Sequence, residues 1–438
     1  MDKLHVNIIE KVKVAPCLPL PKAILQLSSL DNITRCYISV LLVYDGVSSV
    51  STDPAKTIRE ALSKVLVYYS PFAGRLRNKE NGDIEVECSG QGAVFVEAMA
   101  DTDLSVLQDS DEYNPSLQQL IFTVPMETNI EDLHLLSVQV TSFTCGGFVV
   151  GISCYHSICD GKGLGQFLKG MSEISRGALK PSLEPIWNRE MVKPEDLMYL
   201  QFYHIEVIPR PLEFEKIVQT SIIINIETIN CIKQCMMEEC KENFSTFEIV
   251  AALIWLAKTK SFQIPDSENV KLMFAVDMRT SFDPPLPKGY YGNVIGIAGA
   301  IDNVKELLSG SILRALIIIQ KTIFSLKDNF ISRRLMKPST LDVNMKHENV
   351  ILLGDWRNLG YYEADCGCGN LSNVIPMDQQ IEHESLVQSR FMLLRSSKNM
   401  QNGIKILMSM PESMAKPFKS EMKFTINKYV TGECFSEL

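Results

Sequence analysis

The 438-residue sequence lacks most of the short motifs that announce a reaction. It has no Gly-x-Ser-x-Gly elbow, so nothing marks it as a serine hydrolase. A P-loop and a Rossmann Gly-x-Gly-x-x-Gly are also missing, which removes the usual nucleotide-dependent classes. Twelve cysteines occur without one Cys-x-x-Cys pair. Cys231, Cys235 and Cys240, or Cys366 and Cys368, invite a metal reading, yet no histidine stands near them at zinc-site spacing. Free, inert thiols and no metal are the expectation.

Long apolar runs are missing too. "IVAALIWLAK" and "ILRALIIIQK" fall well short of the roughly 20 residues that cross a bilayer. "MDKLHVNIIEKVKV" is broken by charges and so is not a signal peptide. Cys434 in "CFSEL" stands one place too early for prenylation. A cytoplasmic protein with no membrane span is expected. Basic charge is in deficit, 43 Lys and Arg against 52 Asp and Glu, for a net charge of −9. That balance disfavours nucleic acid as a partner.

Helix and strand patterns alternate throughout, without repeats, which gives a mixed α/β class in two halves. Asp53 and Pro54 open a helix as N-cap and first residue. Ile58, Ala61, Leu62, Val65 and Leu66 then keep one buried face. Ile84, Val86 and Cys88 alternate with charges as a strand. Ser245 and Glu248 form a capping box ahead of another helix. Further strands are expected at "VKLMFAVDM", "NVIGIAGAI" and "NVILLGDW", and near 390–396 and 403–410, with a helix near 303–326. Prolines crowd the stretch from 181 to 211. The expected division is residues 1–190, a crossover at 191–215, and residues 216–438.

The informative stretch is "CYHSICDGKG". Two strands joined at Cys145-Gly146-Gly147 lead into it, and a helical face of Leu164, Phe167, Leu168, Met171 and Ile174 follows. His156 therefore lies at a strand–loop–helix junction, with Asp160 four residues on. His-x-x-x-Asp alone is weak evidence, matching by chance roughly 0.3 times in a chain like this. A core histidine satisfied by backbone is the bland reading. Glycines 161, 163 and 165 lift the other one, since they let backbone approach a ligand. Imidazole titrates near neutrality and can take a proton from a hydroxyl attacking an acyl group. Asp160 could orient the ring as in a triad, although a structural ion pair is the better expectation. Cys154 or Cys159 could act as nucleophile beside His156, Cys154 lying on its side of the strand.

"HSICDG", together with "VDMRTSFDPPLPKGYYGN" and "DWRNLGYYEADCGCG", resembles the BAHD family of acyl-CoA-dependent acyltransferases. Its two signatures are His-x-x-x-Asp and Asp-Phe-Gly-Trp-Gly. "FTCGGFVVG", "SLEPIWNRE", "MEECKE" and "NMKHENV" are similar to the taxane O-acyltransferases of yew. Many stretches look like 2α-O-benzoyltransferases, and "LHVNIIEKV" looks like taxadienol acetyltransferases. The resemblance implies a two-domain chloramphenicol acetyltransferase-like α/β fold, with acyl-CoA entering a channel from one face and the acceptor from the other. It implies no resident cofactor, acyl-CoA (acetyl-CoA first, benzoyl-CoA as the alternative) as co-substrate, a taxane alcohol as partner, and a monomer.

Residue by residue, the resemblance makes His156 the general base and Asp160 its structural neighbour. It counts Asp365 with His156 at the catalytic site, holding architecture on the CoA side. Arg279 would pair with one of these aspartates, and Ser245 and Thr246 would line the CoA tunnel. A peptide-synthetase condensation domain carries a second histidine where Tyr155 stands, and is set aside. One departure matters: the second signature reads Asp365-Cys366-Gly367-Cys368-Gly369. The family tryptophan is a candidate oxyanion donor, and a thiol donates poorly. Losing such a donor costs about 3–4 kcal/mol, so a weak or inactive CoA- or taxane-binding homologue is the alternative.

Overall fold

A computed structural model describes residues 4–46, 53–107, 114–124, 128–199, 215–333, 345–377, 389–396 and 403–430. Most of the expected crossover, residues 200–214, lies outside the described residues. The strands are β1 (Val6–Val14), β2 (Ala23–Gln26), β3 (Tyr37–Gly46), β4 (Arg75–Asn78) and β5 (Ile84–Cys88). Then come β6 (Ala93–Ala100), β7 (Leu136–Ser142), β8 (Phe148–Tyr155), β9 (Ile217–Asn225) and β10 (Asn269–Asp277). The last five are β11 (Ile295–Asn303), β12 (Val350–Asp355), β13 (Gly369–Met377), β14 (Ser389–Arg395) and β15 (Gly403–Pro411). The helices are α1 (Ser29–Ile33), α2 (Pro54–Val65), α3 (Gly161–Ser175) and α4 (Ile226–Cys240). They continue with α5 (Thr246–Ser261), α6 (Val304–Ser309), α7 (Ile312–Ile331) and α8 (Glu412–Val430).

Local chemistry explains the helix starts. Asp53 accepts from the Lys56 amide at the head of α2, and Ser245 and Glu248 close their capping box at the head of α5. The helix expected near 303–326 is two, α6 and α7, because Gly310 and Ser311 interrupt it and Ser311 caps the second.

Two six-stranded sheets form the frame, ordered β1-β6-β7-β8-β3-β13 and β11-β10-β12-β14-β15-β9. A small sheet, β2-β5-β4, flanks the first. β8 is buried along its whole length, which fits its near-continuous apolar run "FVVGISCY" in a sheet covered on both faces. β13 departs from the expected division. It is cut from the second half of the chain, yet it pairs antiparallel with β3 in the first sheet. Tyr361, Ala364, Cys366, Cys368 and Val374 likewise pack into the first core. The boundary at 216 therefore divides the chain but not the cores. Nothing in local patterning distinguishes a strand that returns to the other sheet. Among the described residues, no helix is long and apolar enough to cross a membrane.

The second core is built around α5, buried nearly all round, as a helix at the centre of a domain must be. One residue contradicts that environment. Lys258 is fully buried, its Nζ has no hydrogen-bond acceptor, and it lies 4.4 Å from the centre of the Phe262 ring. Burial pushes its pKa down to about 7, opposed only by Glu348. The unfolded chain binds this proton up to the ordinary lysine range, so it holds more protons than the fold between about pH 7 and 10.5. Stability should therefore rise with pH across that window. Lys258→Met should stabilise the protein by about 1–4 kcal/mol near pH 7, and by less near pH 10. Melting curves of both proteins at the two pH values test this; a Met variant with no gain at pH 7 would refute it.

Candidate active site

The chain turns as it leaves β8, and every step of that turn is held. The His156 amide donates to the Cys36 carbonyl at 2.7 Å, and the Ser157 hydroxyl donates to the Thr34 carbonyl at 3.0 Å. The Ile158 carbonyl accepts from Arg189 Nη2 at 2.7 Å, and the His156 carbonyl accepts from Asn293 Nδ2 at 2.7 Å. The strand's alternation ends here, so Cys154 and His156 do not share a wall. Cys154 and Cys159 are fully buried in the first core, with their sulfurs 3.6 Å apart. Burial also pushes the Cys159 thiol well above its ordinary range, the opposite of an activated nucleophile. That geometry removes the support for a cysteine dyad.

Asp160 caps α3. One carboxylate oxygen accepts from the Gly163 amide at 2.8 Å, and Arg279 Nη2 lies 2.9 Å from both oxygens. The Val294 amide adds a weaker bond at 3.3 Å. Arg279 also meets Asp277 at 3.1 Å and the Gly292 carbonyl at 2.8 Å. The partner of Arg279 is thus Asp160, not Asp365. Asp160 makes no hydrogen bond to His156 among the described residues, because its oxygens already face Arg279 and the α3 amide.

The glycines after Asp160 play a different part from the one expected. A Cβ on Gly163 would stand 2.0 Å from the Tyr291 carbonyl, and one on Gly165 would stand 1.7 Å from the Leu359 carbonyl. They admit backbone of the second half of the chain, not a ligand. Gly161 alone lines the cavity beside His156.

That cavity, about 570 Å³, lies between the two large sheets. His156, Tyr37 and Ser39 form part of one wall, and Ala275, Ile297 and Met392 part of the other. Its size suits a small-molecule site. Lys162 and Asp277 join at 2.6 Å on its lining. Further along, Arg390, Ser409 and Gln219 sit side by side on β14, β15 and β9, in register, and all three line it. Burial lowers the pKa of His156, and its own backbone carbonyl, Asp160, Asn293 and Asp31 oppose that shift. A lowered pKa leaves the imidazole neutral and able to accept a proton near pH 7.

Sequence reasoning missed the residues that brace this turn. Asp31, fully buried, pairs with buried Arg189 at 2.8 Å. It also accepts from Asn293, through the side chain at 2.7 Å and the amide at 3.1 Å. The one available signal was local: Ser28 and Asp31 form a capping box at α1. Nothing local says that the same carboxylate also serves residues 189 and 293.

The second signature is not in the cavity. Asp365 is exposed, its side chain 65% accessible, and it pairs with Arg176 at 3.4 Å. Its carboxylate also accepts from the Gly367 amide at 2.9 Å. Cys366 and Cys368 are buried in the first core, and the Tyr44 hydroxyl donates to the Ala364 carbonyl beside them at 2.5 Å. Gly369 pairs with Gly46 at one end of β3, while Tyr155 pairs with Tyr37 at the other. The length of that strand, roughly 30 Å at about 3.3 Å per residue, separates the cysteines from His156. The expected oxyanion role, and the handicap inferred from its loss, are therefore corrected: no residue of this motif reaches the base. Ser245 and Thr246 are also outside the cavity lining, at the head of α5, where Thr246 accepts from Lys233 Nζ at 2.7 Å.

Two contrasts test this placement. Asp160→Ala removes the most buried partner of the Arg279 guanidinium together with the cap of α3, and should cost about 3–5 kcal/mol. Asp365→Ala breaks an exposed pair worth about 0–1 kcal/mol, so equal losses in urea melts would contradict the geometry. Cys368→Trp should overpack the core by about 1–3 kcal/mol and leave the turnover of folded enzyme unchanged. A rise in kcat with an unaltered melting point would return the motif to the reaction centre.

Comparison with known proteins agrees with the architecture. Residues 4–425 match the model of the Transferase family. The chain is 67% identical to 2-alpha-hydroxytaxane 2-O-benzoyltransferase of Taxus cuspidata, over 100% of both chains. It is 59% identical to taxadien-5-alpha-ol O-acetyltransferase of Taxus chinensis, over 98% of each. Its fold is that of vinorine synthase, with a TM-score of 0.73 at 20% identity, covering 94% of this chain and 96% of the other. With its His-x-x-x-Asp turn set between two sheets, the chain belongs to the BAHD branch of the transferases, the acyl-CoA-dependent acyltransferases.

Proposed function

We propose that the protein moves an acyl group from coenzyme A to a hydroxyl of a taxane diterpenoid, with His156 as general base. The carrying observation is the His156 imidazole, its pKa lowered by burial, on the wall of a mostly apolar cavity of about 570 Å³ between two sheets. Such a space suits a polycyclic acceptor and an acyl thioester together. Nε2 of His156 takes the hydroxyl proton as oxygen attacks the thioester carbon. A C–O bond forms, the C–S bond breaks, and the proton passes from Nε2 to the departing CoA sulfur.

In this reading Asp160 and Arg279 hold the scaffold. Asp365 fastens the lead-in to β13 and has only a local part. Thr246 with Lys233 is the better candidate for a CoA contact, since the Ser245 hydroxyl already caps α5 and an ammonium suits phosphate. The polar row Gln219–Ser409–Arg390 would meet oxygens of the acceptor. Acyl-CoA is a co-substrate, and the enzyme acts as a cytoplasmic monomer. Acetyl is the acyl group transferred in the first reading. Benzoyl is a second reading, favoured by 67% identity to a benzoyltransferase against 59% to an acetyltransferase.

The test is one set of assays. Purified protein is incubated with labelled acetyl-CoA and benzoyl-CoA against a panel of taxane alcohols, beside His156→Ala. Product should form with one donor, and the variant should lose at least about two orders of magnitude in kcat while remaining folded. Full turnover by a folded His156→Ala protein would end the base assignment. No product from any pairing would favour a binding homologue.

A further inference from the structure

The cavity face of the second sheet changes character from one side to the other. On β10, β11 and β12 it presents Ala275, Ile297, Leu352 and Gly354, none with a polar side chain. The carboxylates at the strand ends, Asp277 and Asp355, are already paired with Arg279 and Arg357. On β14, β15 and β9 the row in register with Leu352 reads Arg390, Ser409 and Gln219, and all three line the cavity. The next row on that face passes through Met392 and Leu407 and ends at Ser221. Alternation along the strands fixes the facing. Phe391 and Met408, between these residues, enter the second core. Thr220, between Gln219 and Ser221, accepts from Lys419 of α8 at 2.6 Å on the opposite side.

Polar groups gathered in an apolar cavity are costly unless something pairs with them. Ser409 is 9% exposed and Ser221 6%. The Ser221 hydroxyl is buried with no hydrogen-bond partner among the described residues. The corner is also remote from the base. The His156 turn is tied to the ends of β10 and β11, through Asn293 and through the pair of Asp160 with Arg279. β14, β15 and β9 are the second, third and fourth strands beyond β10. At about 4.8 Å per strand they stand about 10–19 Å across the sheet from it.

We propose that this corner, Gln219, Ser221 and Ser409 with Arg390 beside them, determines acceptor specificity: it pairs with hydroxyl or carbonyl oxygens on the edge of the acceptor remote from the attacked hydroxyl. The proposal rests on the reading of the protein as a taxane acyltransferase. With one hydroxyl at His156 and the skeleton over the apolar middle, the far edge of a polycyclic acceptor meets β14, β15 and β9. An acceptor carrying oxygen there supplies the partners. One with bare hydrocarbon there leaves buried hydroxyls dry and unpaired. Selection of this kind is strong in a polar site, because an unpaired group costs more than a lost apolar contact.

Two taxane alcohols that differ only in oxygenation, one monohydroxylated and one polyhydroxylated, test this with the acyl-CoA that gives product. Wild type should favour the polyhydroxylated alcohol in kcat/KM by at least about tenfold. Ser409→Ala with Gln219→Leu should shrink that preference by at least about tenfold, chiefly through the KM of the acceptor. Ser221→Ala should shrink it too, with a melting temperature unchanged or raised, since its hydroxyl has no partner in the fold to lose. No preference in wild type, or one that the variants leave unchanged, would overturn the proposal. So would a change confined to the KM of acyl-CoA, which would give the corner to the amides of the pantetheine arm. Calorimetric titration of both alcohols against wild type and the double variant reads the same preference without turnover. A preference found there with no product from any donor would support the corner and remove the acyl-transfer reading alone.

Discussion

The ion pair between Asp160 and Arg279 is the constraint from which the site takes its shape. It ties the head of α3, in the first half of the chain, to the loop that follows β10 in the second. Both side chains are largely buried, and Arg279 reaches two further carbonyls of the Tyr290–Gly292 loop. A buried pair is not by itself a large source of stability, because desolvation offsets most of the attraction. What it supplies is geometry. With the guanidinium fixed, residues 290–294 must pass across the start of α3. Asn293 is thereby carried against the His156 carbonyl.

The closeness of that crossing is set by missing atoms. Gly163 and Gly165 let the Tyr291 and Leu359 carbonyls approach α3 to distances that a methyl group would forbid. One helix thus meets two loops of the other half, one on each side. Arg189 completes the crossing from beneath, stacked 3.9 Å from the Trp187 ring centre and paired to Asp31. Desolvated charges balance one against one around the turn, so the imidazole sits among compensated ion pairs while burial lowers its pKa.

The sequence carried the local half of this arrangement. Asp53, Ser245 and the apolar spacing of α2 and α3 named their own elements, because caps and periodicity act within a few residues. "HSICDG" named the turn for the same reason. What it could not carry were relations over long separations. Asp31 meets Asn293 across 262 residues, and Tyr44 meets Ala364 across 320. A capping aspartate and a turn asparagine look ordinary until the fold brings them together. The same limit misplaced β13, since a strand with ordinary alternation does not announce which sheet it joins.

The two signatures of the chain stand in places that make different demands on their residues. His156 and Asp160 occupy a place where backbone from both halves, a helix cap and a cavity wall coincide, so both Asp160 oxygens are engaged and His156 is held through its amide and carbonyl. Asp365 to Cys368 lead into β13, which begins at Gly369 and pairs with the far end of β3. Their work is to bend the chain, through the Asx contact to the Gly367 amide and the positive φ of Gly367, and to seat two small side chains in a core. A bend needs a carboxylate and a glycine, both of which remain. A core position needs apolar volume, which a thiol supplies as a small hydrophobe. Cysteine in place of an aromatic residue there alters packing around Tyr44 and Met171 and leaves the reacting atoms, roughly the length of a ten-residue strand away, with the donors and charges they already had.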